Sequence, residues 1–341
     1  MIHKLDIQLF LFQSKNFLII DVRTPNEFAK GHISGAINLP LFSDEERAIV
    51  GTLYKQKGRQ EAILKGLEIV GPKLSRFILD IKSYTSDKKI FLYCWRGGMR
   101  SSSMAWLFDL YGFEPHLLVK GYKSYRNWVL ETLKTKLNLL ILGGRTGSSK
   151  SYVLREIQNL GEQVLDLEKL ANHKGSAFGH LGENIQPSQE AFENLLATAI
   201  NSLNKEKITL VEDESRLIGN KIIPETIWET MRSSKVLYID LPFEERVKHL
   251  LKDYGKFDSN LLRASILKIS KRMGPEQTKN CLSALEENDL KTVCEICLEY
   301  YDKSYDFGLS KRENTSIEKV FFDTLDVKLI AEKLVQKIKY V

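Results

Sequence analysis

The chain has 341 residues. This length exceeds what a single hydrophobic core usually stabilises, so two domains are expected. Hydrophobic residues make up 43% and charged residues 28%, an ordinary globular composition, and four cysteines do not make a disulfide framework. The net charge of +6 is uneven, because residues 1–130 carry 19 Lys and Arg against 12 Asp and Glu, whereas residues 131–341 carry 31 against 32. The first part is therefore the better candidate for contact with a polyanion.

Targeting and membrane signals are weak throughout the sequence. No apolar run approaches the ~18 residues needed to span a bilayer. The first twenty residues contain apolar patches, but Asp6 and Lys15 interrupt them and no small-residue cleavage site follows. We therefore expect a cytoplasmic protein that has no membrane partner.

The first part alternates strand-like and helical runs. Apolar runs predict strands at 17–22, 89–94 and 114–122, and helical patterns cover 101–113 and 123–136. A polar and basic helical stretch at 43–71 interrupts this alternation. Strands separated by helices predict a parallel sheet with helices on both faces, in a domain that spans residues 1–130.

A second α/β unit begins near residue 131. Strand-like runs lie at 137–144, 163–170, 207–215 and 235–242, and a helix is predicted at 149–160. The tail from residue 243 is mostly helical in pattern. We therefore predict an α/β domain over residues 131–341 with a helical C-terminal part.

The stretch "LLILGGRTGSSKSYVL" reads as a strand, a glycine-rich turn and the start of a helix, which is the context of a phosphate-binding loop. Backbone amides at a helix N-terminus favour an anion. Lys150 would neutralise phosphate oxygens and Ser151 could bind Mg²⁺. One departure is Ser149, which stands where the usual pattern has glycine. The predicted loop comprises Gly143, Gly144, Arg145, Thr146, Gly147, Ser148, Ser149, Lys150 and Ser151.

The run "ITLVEDES" could supply an acid on the magnesium side of this loop, at Glu212 or Asp213. A strand followed by a helix-capping turn would explain the same residues without any metal. We predict no dedicated protein metal site, and Mg²⁺ remains a candidate ion that binds together with the phosphate groups of the ligand.

A second loop, "CWRGGMRS", links the strand at 89–94 to the helix that follows it. The two glycines allow tight turning, and the helix N-terminus stabilises an anion. Two nearby arginines add to this field, which favours the thiolate of Cys94, the reactive form of a cysteine. The predicted loop comprises Cys94, Trp95, Arg96, Gly97, Gly98, Met99, Arg100 and Ser101.

The cysteine loop and the earlier stretch "IIDVRTPNEFAKGHISGAINLP" together resemble the rhodanese superfamily, in which a cysteine between strand and helix carries a persulfide. The usual sulfur-transfer loop has an arginine five places after the cysteine. Here Arg100 follows Cys94 by six places, the spacing found in phosphatases that share this fold. The loop alone leaves two interpretations open: a phosphatase, or the transfer of a group bulkier than sulfur.

The combination of the two loops over nearly the whole chain resembles the tRNA 2-selenouridine synthase family. Further matching segments are 43–66, 166–179, 211–224 and 298–309. The resemblance implies a rhodanese-like domain followed by a P-loop NTPase-like domain. It also implies that wobble 2-thiouridine of tRNA is alkylated by geranyl diphosphate and then receives selenium from selenophosphate. Cys94 would carry or activate the selenium, the P-loop would hold the diphosphate, and no tightly bound cofactor is expected.

The surface that binds the anticodon loop of tRNA is predicted from cations beside aromatic residues, which suit splayed bases. Trp95 could hold the flipped base, although core packing would equally explain each aromatic residue. "CEIC" at 294–297 has metal-like spacing, but two core thiols are the better interpretation of it. The candidate tRNA-binding cations are Lys55, Lys57, Arg59, Lys120, Lys123, Arg126, His173 and Lys174.

Two other functions remain open on the sequence. One is a rhodanese-fold cysteine phosphatase fused to a small kinase-like domain. The other is a tRNA-binding protein without catalysis, whose tRNA affinity would depend on neither Cys94 nor Lys150.

Overall fold

A computed structural model describes residues 1–312 and 317–338 of the chain. The chain forms two compact units. The first is Met1–Thr132 with Glu193–Thr198, and the second is Leu133–Phe192 with Ala199–Val341. The predicted domain 131–341 thus includes residues 313–316 and 339–341, which lie outside the described residues. Within the described ranges, no helix is both long and apolar enough to cross a membrane.

The first unit contains a five-stranded, fully parallel sheet in the order β1-β5-β4-β2-β3. Its strands are β1 (His3–Leu5), β2 (Leu18–Asp21), β3 (Ala36–Asn38), β4 (Lys89–Tyr93) and β5 (Glu114–Leu118). The prediction of a parallel sheet from the apolar runs is confirmed. The two strands without such a run, β1 and β3, have only three residues each.

Helices connect these strands, and several start at capping side chains. Thr24 with Glu27 and Ser43 with Glu46 form capping boxes, which satisfy free amides of the first helical turn. The basic stretch predicted as helical forms α3 and α4, followed by a short 3-10 turn at Gly71–Lys73. The helices are α1 (Ile7–Gln13), α2 (Pro25–Lys30), α3 (Asp44–Gln56), α4 (Arg59–Val70), α5 (Leu74–Tyr84), α6 (Met99–Tyr111) and α7 (Gly121–Thr132).

A buried ion pair lies at the end of β2. Asp21 and Arg23 have side chains that are 0% and 1% exposed, and the guanidinium donates to both Asp21 oxygens at 2.6–3.0 Å. Arg23 also donates to the carbonyl of Gly31 at 2.6 Å and lies 3.7 Å from the ring centroid of Tyr122. Asn38 donates to the carbonyls of Asp21 and Arg23, each at 2.9 Å. These residues of the rhodanese-like signature therefore tie several segments of the unit together.

The second unit contains another five-stranded parallel sheet, in the order β12-β11-β6-β8-β7, and a small antiparallel ribbon of β9 and β10. The last strand, β12, lies in the tail predicted as mostly helical. The sequence of β12, IEKVF, has two adjacent charged residues and therefore no strong strand pattern, and only Val320 of this strand is buried. The strands are β6 (Leu139–Gly144), β7 (Gln163–Leu165), β8 (Thr209–Glu212), β9 (Leu217–Ile218), β10 (Lys221–Ile222), β11 (Val236–Asp240) and β12 (Ile317–Phe321).

The helices of this unit include the predicted one after the glycine-rich turn, which is α8. The strand predicted at 163–170 is only half right, because Asp166 caps a short helix that begins at Leu167. Helix α10 crosses the boundary and contributes Glu193–Thr198 to the first unit. The helices are α8 (Lys150–Asn159), α9 (Leu167–Ala171), α10 (Gln189–Ser202), α11 (Glu225–Ser233), α12 (Phe243–Tyr254), α13 (Ser259–Met273), α14 (Pro275–Glu286), α15 (Leu290–Ser310) and α16 (Val327–Ile338).

Replacing Arg23 should test the weight of the buried ion pair. Arg23→Met leaves the Asp21 carboxylate buried without its partner, so we expect the free energy of unfolding to fall by about 3–5 kcal/mol. Urea denaturation followed by circular dichroism measures this change. The control is Arg76→Met, whose partner is Asp80 and whose side chain is 74% exposed. A change below about 1 kcal/mol is expected there, and equal losses in both variants would contradict the assignment.

Candidate functional site

The cysteine loop begins at the carboxyl end of β4 and ends in the first turn of α6. Cys94 is only 3% exposed, and its sulfur accepts a hydrogen bond from the Ser101 hydroxyl at 3.2 Å. Gly97 and Gly121 both have positive φ. A Cβ atom on Gly121 would lie 2.1 Å from the carbonyl oxygen of Cys94. Only glycine therefore fits where the start of α7 touches the cysteine loop. The thiol is therefore held in one place by its surroundings.

The two arginines of this loop have different roles. Arg100 donates to Glu27 at 2.6 Å. Burial opposes the charge of Glu27, but the Arg100 bond and charge outweigh it, so the pKa of Glu27 is lowered. Arg96 is exposed. Of the two cations predicted beside the thiol, Arg96 is thus the more accessible to an anionic ligand.

The other exposed residues of the cysteine loop include an aromatic ring. Trp95 is 37% exposed, and its ring centroid lies 5.7 Å from that of Tyr122. Met99 and Gly98 are exposed at the start of α6. Trp95 therefore offers part of a ring face directly beside the cysteine.

The glycine-rich turn between β6 and α8 forms the predicted phosphate-binding loop. Gly144 and Gly147 have φ of +151° and +85°, and a Cβ on Gly144 would lie 2.6 Å from the Ser148 hydroxyl. Ser148 donates to the carbonyl of Arg145 at 2.7 Å. Lys150 donates to the carbonyl of Gly144 at 2.9 Å, so its ammonium group lies over the loop.

Ion pairs with α15 hold the outer side of the same loop. Arg145 donates to Asp306 at 2.8 and 3.1 Å. Arg246 donates to the carbonyl of Thr146 at 3.1 Å and to Asp302 at 2.7 and 2.8 Å. Arg145 is therefore occupied by Asp306, and Lys150 is the cation of the loop that lies on its inner side.

Three buried glutamates surround the start of α8. Carboxylate oxygens of Glu168, Glu212 and Glu214 lie within 4.8 Å of one another. The Ser151 hydroxyl lies 2.6 Å from Glu168 and 2.9 Å from Glu212, and Lys150 is 3.4 Å from Glu212. Burial, and then the charge of Glu212, raises the pKa of Glu168 to about 8, and burial also raises the pKa of Glu212 and Glu214.

This glutamate cluster has the donor set that a hard cation prefers. Carboxylate and hydroxyl oxygens are the usual ligands of Mg²⁺, so the residues present fit that ion. The sequence prediction named Glu212 and Asp213 but missed Glu168 and Glu214. Asp213 instead pairs with Arg312 and accepts a hydrogen bond from the Tyr305 hydroxyl at 2.9 Å. It therefore lies outside the cluster.

A chamber of about 740 Å³ opens above the phosphate-binding loop. Its walls include Lys150, the glutamate cluster and the loop that follows α9. His173 and Lys174, predicted as candidate tRNA-binding residues, lie on that loop and line the chamber. Burial lowers the pKa of His173. The structure thus brings these two residues together with the phosphate-binding loop.

The remaining predicted tRNA-binding cations divide into exposed and occupied groups. Arg126 pairs with Glu193 at 2.5 Å and is therefore occupied. Tyr122 and Tyr125, which stand beside it in the sequence, are buried, so core packing is their correct interpretation. The exposed cations are Lys55, Lys57, Arg59, Lys120 and Lys123.

The cysteines of "CEIC" lie on α15. The sulfur of Cys297 is 3.8 Å from that of Cys281, and both residues are buried in a helical core, whereas Cys294 is only partly buried.

Ser149 occupies a left-handed backbone conformation at the start of α8. Its φ is +55°, a region that favours glycine, and its hydroxyl lies 2.8 Å from Nε2 of His249. His249 also lies 3.5 Å from Asp253, and burial lowers its pKa. The serine therefore retains the glycine conformation of the loop and adds a hydrogen bond to a histidine whose side chain is 14% exposed.

Two substitutions at position 149 separate strain from hydrogen bonding. Ser149→Ala keeps the left-handed conformation but removes the His249 bond, so the free energy of unfolding should fall by about 1 kcal/mol. Ser149→Gly loses the same bond but relieves about 1 kcal/mol of strain, so it should remain near the wild type. Urea denaturation compares the two variants directly. Equal stabilities of the alanine and glycine variants would show that this backbone is unstrained.

Comparisons with known proteins cover both units. A family model described as the tRNA 2-selenouridine synthase AAA domain matches residues 137–258, and a rhodanese-like domain model matches residues 9–127. A protein named tRNA 2-selenouridine synthase from Shewanella denitrificans is 36% identical, over 86% of this chain and 89% of its own length. Another of that name, from Bdellovibrio bacteriovorus, is 37% identical over 91% and 93%. A third, from Pseudomonas syringae, is 37% identical over 84% and 87%. The chain therefore belongs to the tRNA 2-selenouridine synthase family.

Proposed function

We propose that this chain converts 2-thiouridine at the wobble position of tRNA into 2-selenouridine through an S-geranyl intermediate. The observation that carries the proposal is a pair of loops on one chain, each at the N-terminus of a helix, where an anion is favoured. One loop holds the buried thiol of Cys94, and the other holds Lys150, whose side chain is 11% exposed. The proposed small substrates, geranyl diphosphate and selenophosphate, are both anions. The names of the relatives support the tRNA product. Such a transferase would act in the cytoplasm without a tightly bound cofactor.

The first step takes place at the phosphate-binding loop. Sulfur of the thiouridine bonds to C1 of the geranyl group, the C1–O bond breaks, and diphosphate leaves with the electron pair while the base releases a proton. Lys150 stabilises the charge that develops on the departing diphosphate. Its burial strengthens this interaction, because few water molecules compete with it.

The glutamate cluster would hold Mg²⁺ beside the same phosphate groups. The oxygen ligands would come from Ser151, Glu168, Glu212 and Glu214. The ion would neutralise phosphate charge as a Lewis acid. The protein itself contributes Lys150 on one side of the loop and the hydroxyl of Ser151 on the other.

The second step takes place at the cysteine loop. Selenium of selenophosphate bonds to C2 of the base, the C2–S bond breaks, and geranyl thiol leaves after taking up a proton. Water then attacks phosphorus, so that the P–Se bond breaks and phosphate leaves. Alkylation makes this exchange feasible, because a thiol is expelled instead of a sulfide dianion. Cys94 positions or activates the selenium donor without any change in the oxidation state of selenium, and Arg96 and the loop amides stabilise the selenophosphate anion.

The exposed cations of the first unit would contact the tRNA. Lys55, Lys57 and Arg59 lie close together in sequence at the junction of α3 and α4, and Lys120 and Lys123 flank the start of α7. Trp95, beside Cys94, would stack on the splayed wobble base. These cations and Trp95 support recognition of a single-stranded loop such as the anticodon.

Loss of the buried lysine should separate the two steps. In Lys150→Ala, geranylation of tRNA should fall at least about a hundredfold, because the leaving diphosphate loses its cation. Conversion of tRNA that already carries the geranyl group should remain measurable. Mass spectrometry of tRNA nucleosides after each incubation follows both products. The control is Lys248→Ala, whose side chain is 73% exposed. Equal loss of both steps in Lys150→Ala would contradict the assignment.

Loss of the thiol should have the opposite effect. Cys94→Ala should accumulate geranylated tRNA and form no selenouridine, because only the selenium step uses the thiol of Cys94. The same nucleoside analysis detects this product, and Cys281→Ala serves as the cysteine control because Cys281 lies in the helical core. Absence of geranylated tRNA in Cys94→Ala, with Cys281→Ala active, would show that the steps are not divided in this way.

The phosphatase alternative is tested with the same proteins. A chromogenic phosphate ester should give no robust turnover with the wild type. Rapid hydrolysis that disappears in Cys94→Ser would favour a rhodanese-fold phosphatase over the proposed transferase.

A further inference from the structure

A narrow apolar cavity lies beside the chamber of the phosphate-binding loop. Its volume is about 50 Å³. Aliphatic, aromatic and sulfur-containing side chains from α12, α13 and α15 form most of its wall. The lining residues are Thr146, Ser176, Phe178, Leu250, Leu251, Tyr254, Gly255, Leu262, Leu290, Val293, Cys294, Cys297 and Tyr301.

The cavity and the chamber share part of their walls. Thr146, Ser176, Leu250, Tyr254 and Tyr301 line both spaces. Thr146 belongs to the phosphate-binding loop itself, so the apolar space begins directly beside the anion-binding amides. A ligand that occupies both spaces must therefore be anionic at one end and apolar at the other.

Two hydroxyl groups on the shared wall, those of Tyr301 and Ser176, already have partners. Tyr301 accepts a hydrogen bond from the amide of Ala177 at 3.2 Å, and Ser176 accepts one from the amide of Phe178 at 3.2 Å. Burial raises the pKa of the Cys294 thiol to about 11, so this wall residue stays neutral near pH 7. Water gains little in such a space, and a hydrocarbon is the better occupant.

The size of the cavity limits the occupant to a short chain. A volume of 50 Å³ accommodates a row of about four water-sized groups. One branched five-carbon unit is about this size. A nucleoside base is a poor match, because its ring polar atoms would face a mostly apolar wall.

We infer that this cavity binds the terminal five-carbon unit of a short prenyl diphosphate whose diphosphate lies on the phosphate-binding loop. The inference rests on the proposed function for its first step and identifies the residues that hold the apolar part of that substrate. The wall formed by Leu262, Leu290 and Val293 then limits the length of the chain. A ten-carbon donor fits, whereas a fifteen-carbon donor extends beyond this wall.

Calorimetric binding tests the cavity without any transfer reaction. The wild type should bind geranyl diphosphate about tenfold or more tightly than inorganic diphosphate, because burial of each methylene is worth about fourfold in affinity. Cys294→Phe places a ring in the cavity and should remove most of this advantage, while inorganic diphosphate binds as before. The matched control is Leu267→Phe, which adds a ring at a position that is 50% exposed and should change neither affinity.

A second variant, which enlarges the cavity, keeps the test decisive if Cys294→Phe does not fold. Leu290→Ala lengthens the cavity, so farnesyl diphosphate should bind several-fold more tightly relative to geranyl diphosphate than it does in the wild type. If Cys294→Phe no longer binds inorganic diphosphate, this gain for the longer chain decides the question. No gain in that case would overturn the inference.

The outcomes separate this inference from the proposed function. Equal affinity of the wild type for geranyl and inorganic diphosphate would overturn the inference, as would unchanged geranyl diphosphate binding in Cys294→Phe. Binding that follows the expectation, together with no alkylation of tRNA, would retain the cavity and reject the proposed first step. Alkylation of tRNA that is insensitive to Cys294→Phe and Leu290→Ala would retain the proposed first step and reject the cavity as the prenyl site.

Discussion

In a fully parallel sheet every strand ends at the same edge, and the placement of the reactive groups in both units depends on that constraint. In the first unit, β4 ends in the cysteine loop. In the second, β6 ends in the phosphate-binding loop, its neighbour β8 ends in Glu212, and β7 leads into the helix that carries Glu168. Residues separated by many positions in the sequence thus meet without any unusual local structure.

Charge balance is the second constraint on the phosphate-binding loop. One ammonium group, that of Lys150, lies close to three buried carboxyl groups. Burial opposes separate charges, so these carboxyl groups retain protons more readily than exposed ones do. A divalent cation and a polyanionic ligand bound together would restore balance, because each offsets the excess charge that the other faces.

Local patterns in the sequence predicted the features that depend only on residues close together in the chain. These features are the two loops with their glycines, Cys94 and Lys150. The sequence did not predict what depends on strand order. Glu168 and Glu214 come together with Glu212 only because β7, β8 and β6 are neighbours. Contacts distant in sequence decided other positions, since Arg126 pairs with a residue of α10 and Tyr122 packs against Arg23. The strand β12 was not predicted because its extended conformation depends on pairing with β11 more than on its own sequence.

The pair formed by Ser149 and His249 has a consequence for how such a chain can change over time. A glycine-to-serine exchange alone would add about 1 kcal/mol of strain, and the histidine bond offsets it only when both residues are present. The two positions are therefore epistatic. A lineage that acquires His249 first passes through no strained intermediate, whereas one that acquires Ser149 first does. The order of substitutions, and not only their sum, sets which sequences are accessible at this loop.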